Sequence, residues 1–497
     1  MVLKYLFFII IIPVSCFVFS QNKSQPPNIL FIMSDDHAVN AIGAYNSWLK
    51  PYLDTPNIDR LAEDGVLFTN VHCTNALCAP SRATIISGAY SHQTGVYTLR
   101  ESLNTKDKMT VPKVLQANGY RTAVFGKWHI HGDNLYGFDY YEITNSQGNY
   151  RSPSLRSPNG KQKYEGYATD VYTDLSIQWL SEHNEKPFFL MVNYKAVHAP
   201  WIYAERHEAM YEDQNIPEPN NLNDQFSGRS PYGLPKFQNK IHDPEKLYTS
   251  LSFWFQEGKK GKGSWPTGNI NLNGKTDSEQ LQMSYQKYIK DYLRTVKGID
   301  EGVGQLVAYL KKQNILDNTV IIFTSDQGMF LGEHGFFDKR LGLKEAEQMP
   351  LIIRCPKFLN PKSKQDILIN NVDFAKTLVA MGGVNPNVFN YGHSFWKYIQ
   401  GKQELWPRER SFYGFYSNGA PKHYGIITES YKYLKYTDKN GNILGTDLFD
   451  RKNDLNEMHN LSAHTNYKQH IKVLEASLQD EMKAIGIRTS QLPGKKK

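Results

Sequence analysis

NILFIMSDD, residues 28–36, is the stretch whose reading decides the fold. Its first seven residues form a nearly unbroken apolar run, and the carboxylates Asp35 and Asp36 follow at once. A strand without polar alternation belongs in a sheet covered on both faces. The same grammar returns three times. Residues 122–125 are a short strand candidate followed by Gly126, Lys127 and His129. Residues 188–194 form another, with His198 four residues beyond, and VIIFTS, residues 320–325, runs into Asp326 and Gln327. Helical patterns alternate with these strands. Tyr288, Ile289, Tyr292, Leu293, Val296, Ile299, Val303, Leu306, Val307 and Leu310 share one 3.6-period face that leads through the Asp317-Asn318 turn into the fourth strand. The alternation predicts an α/β fold, a large mainly parallel sheet flanked by helices. Ligands of such sheets bind beyond the carboxyl ends of the strands, which would gather all four sets of polar residues.

Further along the chain the grammar weakens. Residues 205–280 are rich in Asn, Gly, Lys, Pro and Trp with little periodicity, and GKKGKGSWP, residues 258–266, reads as an exposed loop. Such a segment is either a substrate loop or a tolerated insertion. After about residue 400 the pattern changes. Residues 424–428 and 431–436 read as short antiparallel strands, and residues 437–441, with Asp438 and Asn440, as a loop. Residues 467–485 read as an amphipathic helix with Ile471, Leu474, Leu478 and Met482 inward and Gly486 as its C-cap. The expected layout is a main domain over residues 21–404 and a smaller C-terminal α+β subdomain with an antiparallel sheet over 405–497. No internal repeat is evident.

Residues 1–20 read as an export signal: Lys4 is the only charge, residues 5–19 are apolar, and Val18 and Ser20 are small before Gln21. The run is shorter than the ~20 residues of a spanning helix, so no stable membrane span is expected. Cys16 opens a lipoprotein reading, which Pro13 and the apolar residues after Cys16 fit poorly. The expected destination is the periplasm or the exterior. Removing the signal leaves Cys73, Cys78 and Cys355, and an odd count in an exported chain marks a thiol with another fate. A Cys73–Cys355 bridge stays open, with a small buried apolar side chain the better reading of Cys355. With 497 residues, 40% hydrophobic and 21% charged, the composition is that of a globular enzyme able to build its core without disulfides. The net charge of +8 comes from scattered Lys and Arg, concentrated only at residues 259–262 and 495–497. Nucleic acid is therefore not the expected partner, and a weak bias toward polyanions such as acidic polysaccharides is the most the charge supports.

The sharpest local signal is CAPSRATIISG, residues 78–88, in which Cys78, Pro80 and Arg82 fall in C-x-P-x-R spacing. It resembles the signature of the formylglycine-dependent, type I sulfatases. The family's other motifs follow in order: Asp35-Asp36, TPNIDRLA (55–62), GKWH (126–129), SDQG (325–328) and DLFDRKNDLNE (447–457). The resemblance covers roughly residues 28–461 and implies an alkaline-phosphatase-like fold and hydrolysis of sulfate esters. It also implies that a maturation enzyme oxidises Cys78 to formylglycine (3-oxoalanine). A sulfate monoester repels an anionic nucleophile, whereas a hydrated aldehyde offers one hydroxyl to attack sulfur and a second to expel sulfate afterwards. This chemistry needs a hard cation. The resemblance assigns metal ligation to Asp35, Asp36, Asp326 and Gln327, with the oxidised Cys78 beside them. All-oxygen ligation suits one Ca²⁺, and Mg²⁺ less well. Many sulfatases carry Asn where this chain has Gln327, which is one methylene longer.

The same resemblance makes Arg82, Lys127 and Lys339 a cationic clamp. Arg82, at i+4 from Cys78, would steady the hydrate. Lys127 and Lys339 would hold sulfate and leaving-group oxygens where charge builds up. His129 would assist breakdown of the hydrate and His198 would protonate the leaving alcohol. His37, His131 and His334 are further candidates, His334 as a sugar contact. The long loop, 13% aromatic content and export signal suit a sulfated carbohydrate substrate. TPNIDRLA, GEHG and DKR together are similar to bacterial polysaccharide sulfatases. Algal polymers such as ulvan or carrageenan stand slightly ahead of N-acetylglucosamine 6-sulfate in glycosaminoglycan or mucin. A phosphohydrolase on the same fold and an inactive carbohydrate-binding homologue are the rivals. The complete Cys78 motif argues against the first and the filled residue set against the second.

Overall fold

A computed structural model describes residues 26–495, apart from 104–107, 133–134, 136, 145, 183–184, 242–266, 269 and 404. The export-signal reading of residues 1–20, the 258–266 loop, the basic run at 259–262 and the last two lysines lie outside the described residues.

The main sheet has ten strands. From one edge they are Ser363–Gln365, Val66–Phe68, Leu351–Arg354, Thr319–Ser325, Asn28–Ser34, Phe188–Asn193, Arg121–Lys127, Tyr140–Thr144, Ser154–Ser157 and Gly160–Lys163. The run from Thr319–Ser325 to Tyr140–Thr144 is parallel, and antiparallel pairs flank it on both sides. All four strands expected from the sequence are therefore neighbours at the centre. Asn28–Ser34 pairs in register with Thr319–Ser325, so Ser34 stands opposite Ser325 and Asp35 opens the same edge as Asp326.

Both faces of this strand are buried, which explains its unbroken apolar character. Ile29, Phe31 and Met33 enter one core with the helices Cys78–Ser87, Val111–Ala117 and Asp373–Met381. Leu30 and Ile32 enter a second with Pro56–Glu63, Ala168–Ser181 and Asp277–Lys312. The last helix is 36 residues long, starting well before the apolar face read from the sequence. Thr276 caps it reciprocally: Thr276 Oγ1 accepts from Glu279 N at 3.3 Å and Glu279 Oε2 accepts from Thr276 N at 2.8 Å. Asp300 on this helix accepts from Asn57 N and Ile58 N, both at 2.9 Å, so the TPNIDRLA motif is a helix start held by a carboxylate.

The C-terminal sheet is a four-stranded antiparallel meander, Arg410–Phe415, Lys422–Thr428, Tyr431–Thr437 and Ile443–Asp450. Helix Lys468–Ala484 covers one face with Leu474, Leu478 and Met482. It ends in a Schellman motif, with Ile487 N donating to Met482 O at 2.9 Å, Gly486 N to Lys483 O at 3.1 Å, and Gly486 at φ 71°. The sheet's other face, including Tyr413, Ile427, Leu434 and Phe449, belongs to the main core.

The open disulfide is settled: Cys73 and Cys355 are free, buried thiols. Val66–Phe68 pairs antiparallel with Leu351–Ile353, and the two cysteines lie beyond opposite ends of that pair. Among the described residues no helix is long and apolar enough to cross a membrane.

Candidate active site

The carboxyl ends of the four central strands converge as expected. Asp35 N donates to Ala196 O at 3.0 Å and Val197 N to Asp35 O at 2.9 Å, which draws the segment carrying His198 alongside Asp35. Asp36 takes φ 60° and its amide donates to Asp326 Oδ1 at 3.2 Å. Cys78 starts a helix whose next turn carries Arg82, so both face the strand ends. That helix is tied down by Ser81, whose hydroxyl donates to Asp326 O and accepts from Asn371 Nδ2 at 2.8 Å. Gly126, at φ 94°, has a reason to be glycine: an ideal Cβ there would stand 2.2 Å from Asn193 O.

Ten sequence-predicted residues are buried at this place: Asp35, Asp36, Cys78, Arg82, Lys127, His129, His198, Asp326, Gln327 and Lys339. Arg82 is a three-way brace, with Nε to Asp326 Oδ2 at 2.7 Å, Nη1 to Lys127 O at 2.6 Å and Nη2 to Asp35 Oδ1 at 3.3 Å. Lys127 Nζ donates to Asp35 and, at 2.6 Å, to Gln147 Oε1, and stands 3.9 Å from Cys78 Sγ. Lys339 Nζ donates to Asp36, and His198 Nε2 lies 3.6 Å from the same carboxylate. His198 Nδ1 meets Ala199 O at 2.6 Å; a carbonyl only accepts, so Nδ1 carries the proton and Nε2 faces the site. His129, at φ 55°, is buried, and its Nδ1 has no hydrogen-bond partner among the described residues.

Burial and crowding set the charges. Burial alone would raise Asp35, but Lys127, His198 and Arg82 hold it well below the usual carboxylate range. Burial raises Asp36 despite Lys339, and raises Asp326 to about 7 despite Arg82. Burial also pushes the Cys78 thiol up, and lowers His129 and His198, each helped by neighbouring lysines.

A cavity of about 310 Å³ opens on Cys78, Asp36, His198 and Lys339. Its walls add Gln147, Gln238, Asn239, Asp338, Arg340 and Asn418. Gln147 and Asn418 have no motif around them and so escape a reading of the sequence. Asp338 and Arg340 flank Lys339 in DKR, at φ 75° and 90°, and Arg340 Nε donates to Asp338 Oδ2 at 2.9 Å. Lys195 was also missed. Its Nζ sits 4.8 Å over the Tyr150 ring, and burial, with Lys127 nearby, brings it down to about 7.

Three candidates resolve differently. His334 does not line the cavity: it is fully buried, with Nδ1 2.7 Å from Asp224 Oδ2, so the idea that it touches sugar is corrected. His37 is packed on Phe323 with Nδ1 3.0 Å from Ser34 Oγ, a structural contact. His131 Nε2 meets Leu99 O at 2.8 Å.

The donor set fits a hard cation. Asp35, Asp36 and Asp326 each place an oxygen within 4.8 Å of the others. Gln327 Nε2 donates to Asp36, while its buried Oε1 has no hydrogen-bond partner among the described residues. A half-turn of the amide would bring that oxygen to Asp36's side, completing an oxygen-only set of the kind Ca²⁺ takes.

Against known proteins, residues 27–384 match the sulfatase family model, and residues 332–484 match a model described as the C-terminal part of N-sulphoglucosamine sulphohydrolase. An N-acetylglucosamine-6-O-sulfatase of Bacteroides thetaiotaomicron is 34% identical, over 94% of this chain and 88% of that one. An ulvan-active sulfatase of Formosa agariphila is 23% identical over 94% and 83%. A solved structure of a protein with its substrate D-glucosamine-2-N,6-O-disulfate superposes with a TM-score of 0.83 at 34% identity, covering 93% of this chain and 98% of that chain. The family match across most of the chain, joined to the Cys78 helix, the carboxylate triad and the buried lysines, shows that this chain belongs to the sulfatase family and is a sulfuric ester hydrolase.

Proposed function

We propose that the chain hydrolyses a 6-O-sulfate ester on a glucosamine-type sugar of a glycosaminoglycan- or mucin-like glycan, after export and maturation of Cys78. The carrying observation is the cavity that joins Cys78, His198 and Lys339 to the polar wall of Asp338, Arg340, Asn239 and Asn418. An array of amide, carboxylate and guanidinium groups suits the hydroxyls of a sugar ring. The 34% identical relative acts, by its name, on this sulfate, while the ulvan-active relative is more distant, which puts the glucosamine reading ahead of the algal one.

When present, formylglycine at Cys78 would supply the gem-diol nucleophile, and calcium held by Asp35, Asp36, Asp326 and Gln327 would neutralise sulfate oxygens. The chain's own residues do the rest. Arg82 braces Asp35 and Asp326 and so fixes the carboxylates relative to Cys78. Lys127 presents its ammonium group 3.9 Å from Cys78 and Lys339 presents its own beside Asp36, where charge grows as the S–O bond breaks. His198 holds Nε2 toward the cavity. To act as an acid it must carry both protons, and a bound sulfate supplies the negative charge that favours them. His129, at the end of the GKWH strand, is the remaining base for breakdown of the hydrate. Residues 205–280 contribute Gln238 and Asn239 to the cavity wall, in line with a substrate loop.

The test is sulfate release by protein whose Cys78 conversion has been verified. The panel should contain glucosamine 6-O-sulfates, N-sulfated and N-acetylated, beside ulvan and carrageenan oligosaccharides. Release from the first group with none from the algal sugars is expected, and the reverse pattern would overturn the assignment.

A further inference from the structure

Beside the catalytic cavity lies a second groove of about 380 Å³, lined by Thr98, Arg100, Glu101, Tyr416, Lys422 and Lys495 among others. Asn418 lines both spaces, so the two adjoin. The segment 98–100 alternates like a strand across the divide, with Leu99 on the catalytic cavity and Thr98 and Arg100 on the groove.

The groove is built by three distant parts of the chain and its charge is one-sided. Arg100, Lys422 and Lys495 supply three cations, and none of them forms an ion pair with a carboxylate among the described residues. The one carboxylate, Glu101, is engaged by the turn it closes, accepting from Thr98 N at 2.8 Å and Thr98 Oγ1 at 2.6 Å. Lys495 is the first residue of the basic run at the chain's end, and its segment is pinned by Thr437 Oγ1 donating to Pro493 O at 2.9 Å. Tyr416 meets Tyr97 edge-on at 4.9 Å, a ring pair at the groove wall. A cationic groove with an aromatic wall, entered from a sugar cavity, matches an anionic glycan residue, not a free small ion.

We infer that Arg100, Lys422 and Lys495 form a subsite for an acidic group, sulfate or carboxylate, on the sugar adjoining the one that is desulfated. This rests on the sulfated-carbohydrate reading and extends it from one residue to an oligosaccharide. The enzyme then selects acidic oligosaccharides through KM, while chemistry at Cys78 is untouched.

The experiment compares matured wild type with the Arg100→Ala/Lys422→Ala double variant. Both are given one sulfated monosaccharide and three tetrasaccharides that place it beside a sulfated, a carboxylated or a neutral sugar. Expected is a rise of about tenfold in KM for the acidic tetrasaccharides, with kcat and all monosaccharide values unchanged. The sulfated and carboxylated arms tell which anion the groove prefers. Equal losses on every substrate, or none on any, overturn the subsite. Binding of the same tetrasaccharides to Cys78→Ala protein, with and without the two substitutions, gives the answer independently of turnover. If wild type releases no sulfate from any sugar, the functional reading falls, and the subsite still stands or falls on that binding.

Discussion

Among the described residues, two of the buried charge clusters behave in opposite ways. At the strand ends, Asp35, Asp36 and Asp326 face Arg82, Lys127 and Lys339 beside an open cavity. Between the main body and the antiparallel sheet, Glu347 and Glu457 close on Lys432, with Lys432 Nζ 2.6 Å from Glu457 and His72 Nδ1 3.5 Å from Glu347. In the second cluster the ions settle one another: burial would raise Glu347, but Lys432 and His72 bring it down to about 2. In the first, three carboxylates are crowded together, and Asp36 and Asp326 stay raised in spite of the adjacent cations. Charge left unsettled beside a cavity is the mark of a site awaiting ligands, while settled charge in a closed interior is a joint.

The sharpest break of this contrast is at the nucleophile. Cys78→Ala should leave folding nearly intact and reduce turnover to background, a loss on the order of 10⁶-fold if Cys78 acts as the attacking group. Peptide mass spectrometry of active wild type should show the thiol converted to aldehyde. Full activity from an intact thiol would remove the mechanism.

Next comes the proton donor. His198→Ala should lower kcat on a sulfated sugar by ~10²–10⁴-fold and on an activated aryl sulfate far less, because a phenolate leaves unaided. Lys127→Ala should damage both, since sulfate charge is common to both transition states. Equal losses in the His198 variant would pass the role of acid to His129 or Lys339.

The closed cluster should answer in stability. Lys432→Met strands two buried glutamates and should cost about 3–5 kcal/mol, measured by denaturant unfolding. The pH dependence carries a sign. Glu347 is depressed from its ordinary 4.5 to about 2, so its contribution is full above about pH 4.5 and is lost as the pH falls through about 2. In Lys432→Met that loss should begin at higher pH. An unchanged acid-unfolding curve would show that the cluster is not a joint.

The smallest expected effect belongs to the metal. Calcium at a hundred times its Kd should stabilise the folded state by about 2.7 kcal/mol, read as a rise in Tm reversed by chelation. Activity should follow the same titration. Zinc dependence, or full activity after verified metal removal, would contradict the ligand set.

Most of the centre was legible because the physics there is local. Asn28–Ser34 and Thr319–Ser325 are buried on both faces, so their composition alone declares them strands. The outer strands are harder: Gly160–Lys163 is exposed throughout, and Ile443–Asp450 begins with two exposed residues, so neither shows the apolar run of a buried strand. The motif residues converged as expected. Gln147 escaped notice because its task, accepting from Lys127 Nζ across 20 positions, leaves no trace in its neighbours. His334 misled for the converse reason, since GEHG looks chemical, yet Asp224 from the aperiodic segment holds that imidazole inside the protein.

By itself the sequence determined the parallel sheet, the helix that presents Cys78 and Arg82 on one face, and the identity of the metal and sulfate candidates. The first two follow from periodicity or from spacing along a few residues, and the third from the resemblance to the sulfatase family. The tertiary structure alone decided that Cys73 and Cys355 stay apart, that Asn239 and Asn418 share a wall, and that Arg100, Lys422 and Lys495 share a groove. These are relations between segments dozens to hundreds of residues apart. No local pattern encodes them, because only the packing of the antiparallel sheet against the main core brings those surfaces together.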